Sequence, residues 1–143
     1  RAPLAIDLGG MPMKLAVAYL TSGIVFLVLD LVWLGLVATR LYREQMGPLL
    51  AQPLNMTAAV AFYVLYIAGL LIFAVQPALA EGGVIRALML GAMLGFFCYM
   101  TYDLTGLAVI RGFPAKLAII DIAWGTAVSA LAAAAGTYVA AKL

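Results

Sequence analysis

The sequence predicts an all-α fold: a polytopic membrane protein built as an antiparallel bundle of four transmembrane helices. Three observations predict it. Of the 143 residues, 67% are hydrophobic and only 10% are charged, a balance outside that of water-soluble globular domains. The apolar residues fall into four runs, at about 15–37, 57–75, 84–110 and 117–139, each close to the length of about 20 residues that crosses a bilayer as a helix. All six prolines stand outside those runs, where a residue unable to donate to the helical ladder does least harm.

Residues 1–13 read as an N-terminal extension, either an appended remnant or a segment upstream of a start near Met11 or Met13. They lack the basic region and short apolar core of a cleaved signal, and the run that follows is long enough to span. Residues 14–143 then form a single membrane domain. The first span, between Lys14 and Arg40, carries Tyr19, Gly23, Phe26, Asp30 and Trp33 at spacings of three or four, which places them on one helix face. The connector from Ala38 to Met56 holds charges, Gly47-Pro48 and Pro53 and is expected to lie along the interface. Leu41, Tyr42, Met46, Leu49 and Leu50 would be its apolar underside.

The second span puts Phe62, Tyr63 and Tyr66 in its first half and is expected to end at Gln76-Pro77, followed by a turn over residues 78–83. The third contains Gly91 and Gly95, the small-xxx-small spacing that lets helices approach closely. Arg111-Gly-Phe-Pro114 closes it. The fourth opens with Asp121, Trp124 and Gly125 and ends in the alanine-rich run Leu131 to Gly136.

Several classes of function are excluded early. A net charge of +2 carried by scattered basic residues offers no nucleic-acid footprint. The single cysteine, Cys98, can form no intramolecular disulfide. With no histidine, the chain lacks the commonest transition-metal ligand, so no cofactor and no metal site is expected, and only an oxygen-held ion stays open.

What stands out is Tyr99-Met-Thr-Tyr-Asp-Leu-Thr-Gly106, a carboxylate with phenols and hydroxyls inside the third apolar run. A charged side chain at mid-membrane costs about 2.5–3.5 kcal/mol on insertion scales, so it calls for partners or a function. Span direction supplies candidates. Asp30 and Asp103 each lie about seven residues before the end of an odd-numbered span, about 10 Å deep at 1.5 Å per residue, and Asp121 lies about four residues into the fourth, which runs the other way. All three aspartates are therefore expected in one leaflet, with Tyr63 and Tyr66.

Helical phase points the same way. On the third span Gly91, Gly95, Tyr99, Tyr102, Asp103 and Gly106 share an arc of about 120°, which argues that the small and polar residues face sister helices rather than a second copy. Leu29-Asp-Leu-Val-Trp33 is echoed by Ile120-Asp-Ile-Ala-Trp124 on an antiparallel span, either a trace of an inverted repeat or convergence on similar packing.

The bland reading of this cluster is interhelical glue, although membrane hydrogen bonds average only about 0.6 kcal/mol. The sharper reading is a pocket with Asp30, Asp103 and Asp121 at its floor and Trp33, Tyr63, Tyr66, Tyr99, Tyr102 and Trp124 around them. Arg40, Arg43, Arg111 and Lys116 would rim it. That leads to binding or movement of a small hydrophobic or lipid-like ligand coupled to protonation. The alternatives are an integral-membrane enzyme using the same acids on a lipid or isoprenoid, and a structural or partner-binding subunit, homo-oligomeric or otherwise. No nucleophile-base pair, phosphate loop or redox motif is present, which weighs against the enzyme. Basic residues are nearly balanced across the two sides, so charge barely orients the chain, and the acid side is taken as cytoplasmic.

Asp30-x-x-Trp33-x-Gly35, Gly47-Pro-Leu-Leu50, Phe62-Tyr63-x-x-Tyr66, Thr101-Tyr-Asp-Leu-Thr105 and Asp121-Ile-x-Trp-Gly125 together resemble the membrane-protein family called domain of unknown function 2177, over nearly everything after Met13. The resemblance implies a four-helix protein of the bacterial inner membrane and brings no activity with it.

Overall fold

A computed structural model describes residues 10–50 and 53–143. Every regular element among them is helical: α1 (Gly10–Trp33), α2 (Thr39–Met46), α3 (Met56–Leu70), α4 (Gln76–Ala80), α5 (Gly83–Val109) and α6 (Ala115–Ala141). Wide π-type turns at Leu34–Ala38 and Leu71–Val75 join α1 to α2 and α3 to α4 without a break. Four apolar rods long enough to cross a membrane result: Gly10–Met46, Met56–Ala80, Gly83–Val109 and Ala115–Ala141. The later three are 25, 27 and 27 residues long. At 1.5 Å per residue each reaches about 40 Å, the bilayer with its headgroups.

Three boundaries differ from the sequence expectation. The first rod runs 37 residues, because the segment expected as an interfacial connector from Ala38 continues as helix to Met46. No proline or glycine interrupts Ala38–Met46, and the helix stops only at Gly47, whose φ of 40° and following Pro48 end the ladder.

The second rod does not end at Gln76-Pro77. Its wide turn closes with Gln76 N–H donating to Leu71 O, so Pro77 falls in the first turn of a restarted helix, where its missing N–H and fixed φ are tolerated. Pro12 sits likewise in the first turn of α1, so not all prolines lie outside the spans. Of the expected N-terminal extension, residues 1–9 lie outside the described residues, and Gly10 already belongs to α1.

The turn between α4 and α5 is compact. Gly82 has φ +97°, and a Cβ there would lie 2.7 Å from Arg86 Cβ, so a side chain is excluded twice over. Arg86 Nη1 donates to Glu81 O at 3.2 Å, just past the end of α4, and at 3.4 Å to Pro77 O, which also accepts from Glu81 N–H. At the start of α3, Asn55 Oδ1 accepts from Ala58 N at 3.1 Å, a side-chain N-cap. Asn55→Ala is expected to cost about 1 kcal/mol, read as a lower thermal midpoint in detergent with the helical content unchanged.

The core forms around α6. Its most extensive packing is with α5, in a hairpin, and next with α1. One continuous face of α6 is buried: Leu117, Ala118, Asp121, Gly125, Val128, Ser129, Ala132, Ala133, Gly136, Thr137 and Ala140, at helical spacing. Most of these are small, and in lipid close packing rather than the hydrophobic effect draws helices together.

A Cβ at Gly91 would lie 2.7 Å from Ser129 O, and one at Gly95 would press on Gly125 O. A Cβ at Gly136 would meet Ser22 Oγ and, at 3.0 Å, Ala18 O. Gly91 and Gly95 are thus consumed inside the bundle. Two hydroxyls add ties between spans: Ser22 Oγ donates to Ala132 O at 2.9 Å, and Tyr19 OH to Val64 O at 2.8 Å. The opposite faces, with Leu20, Ile24, Leu65, Ile85 and Ile119 among the exposed residues, present the apolar shell a bilayer requires.

Candidate functional site

Three aspartates on three spans come together in one half of the bundle, as a single carboxyl and a pair. The single is Asp30 on α1. Trp124 Nε1 of α6 donates to its Oδ1 at 3.1 Å, and Tyr63 OH of α3 donates to its Oδ2 in a short bond. One carboxyl therefore ties three helices, and both of its oxygens act as acceptors.

The pair is Asp103 on α5 and Asp121 on α6, whose carboxyls stand side by side. Both are buried, Asp103 to 1% exposure. An O–H···O bond between two carboxyls needs one proton held between them. Asp121 Oδ1 accepts from Tyr42 OH of α2 at 3.2 Å, whereas Asp103 Oδ2 has no hydrogen-bond partner among the described residues.

Aromatic rings surround these acids. Trp33 and Trp124 stack with centroids 4.6 Å apart and planes 5° from parallel. Phe26, fully buried, anchors the rings of Tyr63 at 6.0 Å and Tyr66 at 5.3 Å. Tyr66 meets Tyr99 of α5 edge-on at 6.2 Å and shares a 2.7 Å hydrogen bond with Ser129 of α6. Tyr99 owes its position to Gly125, since any Cβ on that glycine would occupy the Tyr99 ring.

Between the rings lies a cavity of about 320 Å³. The first rod contributes Asp30, Trp33, Leu34 and Tyr42 to its wall, α3 contributes Phe62 and Tyr66, α5 contributes Cys98, Tyr99 and Tyr102, and α6 contributes Asp121 and Trp124. That size falls in the range of small-molecule sites, and the mix of apolar walls with a few convergent polar groups is typical of them.

Of the residues singled out from sequence, Asp30, Trp33, Tyr66, Tyr99, Tyr102, Asp121 and Trp124 line the cavity. Tyr63 and Asp103 stand behind it, each beside a carboxyl that does line it. Arg40, Arg43, Arg111 and Lys116 are exposed, and among the described residues no basic side chain pairs with any of the three aspartates. Arg43 borders a neighbouring groove that shares Leu34 and Tyr42 with the acid cavity. Among the described residues no cluster of three or more Cys, Asp or Glu is disposed to hold a metal ion.

Leu34, Tyr42, Phe62 and Cys98 line the cavity although sequence did not place them there. Tyr42 is the instructive case. Twelve residues at about 100° each should leave it about 120° off the face of Asp30. The wide turn at Leu34–Ala38 accommodates one extra residue, which takes back about 100° and returns Tyr42 to that face. The available signal was the unbroken run of helix-compatible residues from Ala38 to Met46.

No match was found among curated proteins or among solved structures. One family model does match, described as predicted membrane protein and designated domain of unknown function 2177, and it covers residues 15–138, from the first span through the last turns of the fourth. With that coverage, the chain belongs to this family of membrane proteins.

Proposed function

We propose that the cavity binds a small amphipathic or lipid-like molecule and that its occupancy is linked to the proton held by Asp103 and Asp121. The observation that carries this reading is a space of about 320 Å³ walled by aromatic rings and edged by two carboxyls, Asp30 and Asp121, with which no basic residue pairs among the described residues. Carboxyls kept only for packing would be expected to meet their donors in a dry interface. Here the polar edge borders open volume, and intramembrane acids that line a cavity mark ligand or proton paths. Asp103, buried behind Asp121 and short of donors, serves as the proton partner rather than as a contact for the ligand.

Asp30 also supports a second, architectural role, because its two bonds join α1, α3 and α6 whether or not the cavity is filled. The two roles coexist, since a carboxylate has about four lone-pair sites and two are engaged.

Trp33 and Trp124 are the only tryptophans of the chain and both line the cavity, so intrinsic fluorescence reports on it. In nanodiscs, dodecyl amphiphiles are expected to change that fluorescence along a saturating curve, with binding accompanied by proton exchange in weakly buffered medium. Asp103→Asn should keep the saturating curve and lose the proton exchange. A change linear in amphiphile would be mere partitioning and would defeat the proposal.

A further inference from the structure

The cavity opens sideways. α5 meets the second span along residues 71–80 rather than along α3, so the two helices diverge through the acid-bearing half of the bundle. The Tyr66 and Tyr99 rings bridge them at one level, 6.2 Å apart. Phe62, one turn further on α3, is 42% exposed, and Tyr102, one turn further on α5, is 61% exposed, yet both line the cavity, as does the exposed Cys98. The space that ends on Asp30 and Asp121 therefore communicates with the lipid-facing surface between α3 and α5.

The inner end has a definite chemistry. The rings of Trp33, Trp124, Tyr42 and Tyr99 line the space around two carboxyls, the two indoles stacked on each other, and among the described residues no arginine or lysine pairs with these acids. Aromatic faces attract cations, most strongly when desolvated, and a cage of rings recognises alkylated ammonium groups. Carboxylates add the opposite charge. A sulfate or phosphate head would face acids with no counter-charge, and a plain hydroxyl would leave the ring faces unused. Resting on the reading of the cavity as a ligand site, we propose that its ligand is an alkylammonium amphiphile that enters from the bilayer between α3 and α5, its head among Trp33, Trp124, Asp30 and Asp121 and its chain lying out past Phe62 and Tyr102.

The test uses the full chain in phosphatidylglycerol nanodiscs with brominated dodecyltrimethylammonium, brominated dodecanol and brominated dodecyl sulfate as quenchers of Trp33 and Trp124. Each curve is normalised to partition into protein-free discs. The ammonium probe should quench at about 5- to 30-fold lower membrane concentration than the other two. Asp30→Asn and Asp121→Asn, isosteric changes whose folding is checked by circular dichroism, should each shrink that ratio towards unity. Saturable quenching by all three heads at equal concentration would overturn the ammonium inference and leave the ligand site standing. Non-saturating quenching by all three would remove both.

The route is read separately on Cys98, the only cysteine. A bilayer-dissolved alkyl maleimide should label it faster than a charged water-soluble maleimide, and the ammonium probe should slow the labelling several-fold. Preferential labelling by the water-soluble reagent, or labelling indifferent to the probe, would overturn lateral entry.

Discussion

Replacing Gly125 by leucine is expected to part α6 from α5 and leave no stable bundle. A Cβ at this position would fall within the Tyr99 ring, and the opposing Gly95 lies against the Gly125 carbonyl, so neither helix can yield without opening the largest interface in the molecule. Overpacking a well-filled core costs about 1–3 kcal/mol when side chains can shift. Tyr99 is itself held between Tyr66 and α6, so we expect the cost to exceed about 3 kcal/mol, at the damaging end for single substitutions. Because Tyr99 and Trp124 wall the cavity, ligand binding should vanish with the fold.

Gly69→Ala is the matched control. Nothing lies within 4 Å of a Cβ there, in the regular helix α3, and the substitution should be neutral or add up to about 1 kcal/mol of helix propensity. Thermal unfolding in detergent, followed by tryptophan emission, reads both variants. A Gly125→Leu protein melting alongside Gly69→Ala would show that the two helices are not held by this contact.

That contrast between glycines shows what sequence could and could not disclose. Hydropathy and span direction were enough for four antiparallel helices, because a bilayer leaves the backbone few ways to satisfy its hydrogen bonds. Helical phase placed Gly91 and Gly95 on the same face as Asp103, and both glycines pack within the bundle. Phase arguments assume a constant 3.6 residues per turn, however, and they fail wherever a wide turn intervenes. The turn at Leu34–Ala38 is why Tyr42, expected at the interface, reaches Asp121. The turn at Leu71–Val75 is why Pro77, expected as a stop, lies inside the second rod.

Depth along the spans brought the three aspartates to one leaflet, but their grouping depended on side-chain geometry that no spacing encodes. Asp30 accepts from Trp124 and Tyr63, and Asp103 stands beside Asp121. The paired Asp-x-x-Trp motifs are not used symmetrically either, since Asp30 accepts from Trp124 while Asp121 accepts from Tyr42.

Asp30→Leu is the second change with a large expected effect, and its isostere separates architecture from binding. Leucine removes the acceptor of both Tyr63 and Trp124. If those donors found other partners, as they commonly do within membranes, the loss would be near 1 kcal/mol for the two bonds. If both stayed unpaired it would approach about 4 kcal/mol. Trp124 is held by its stack on Trp33 and Tyr63 by its packing on Phe26, so neither ring is free to turn towards a new acceptor. We therefore expect a value nearer the upper figure, together with a shift in tryptophan emission as Nε1–H loses its bond.

Asp30→Asn keeps an acceptor oxygen for Trp124 and should cost far less. A double-mutant cycle pairing Asp30→Leu with Trp124→Phe should return a coupling energy of at least about 1 kcal/mol, and a value near zero would show that the bond contributes nothing to the bundle. The isostere then isolates the charge: a protein that melts close to wild type but binds ammonium and neutral amphiphiles alike would assign Asp30 to the ligand as well as to the fold.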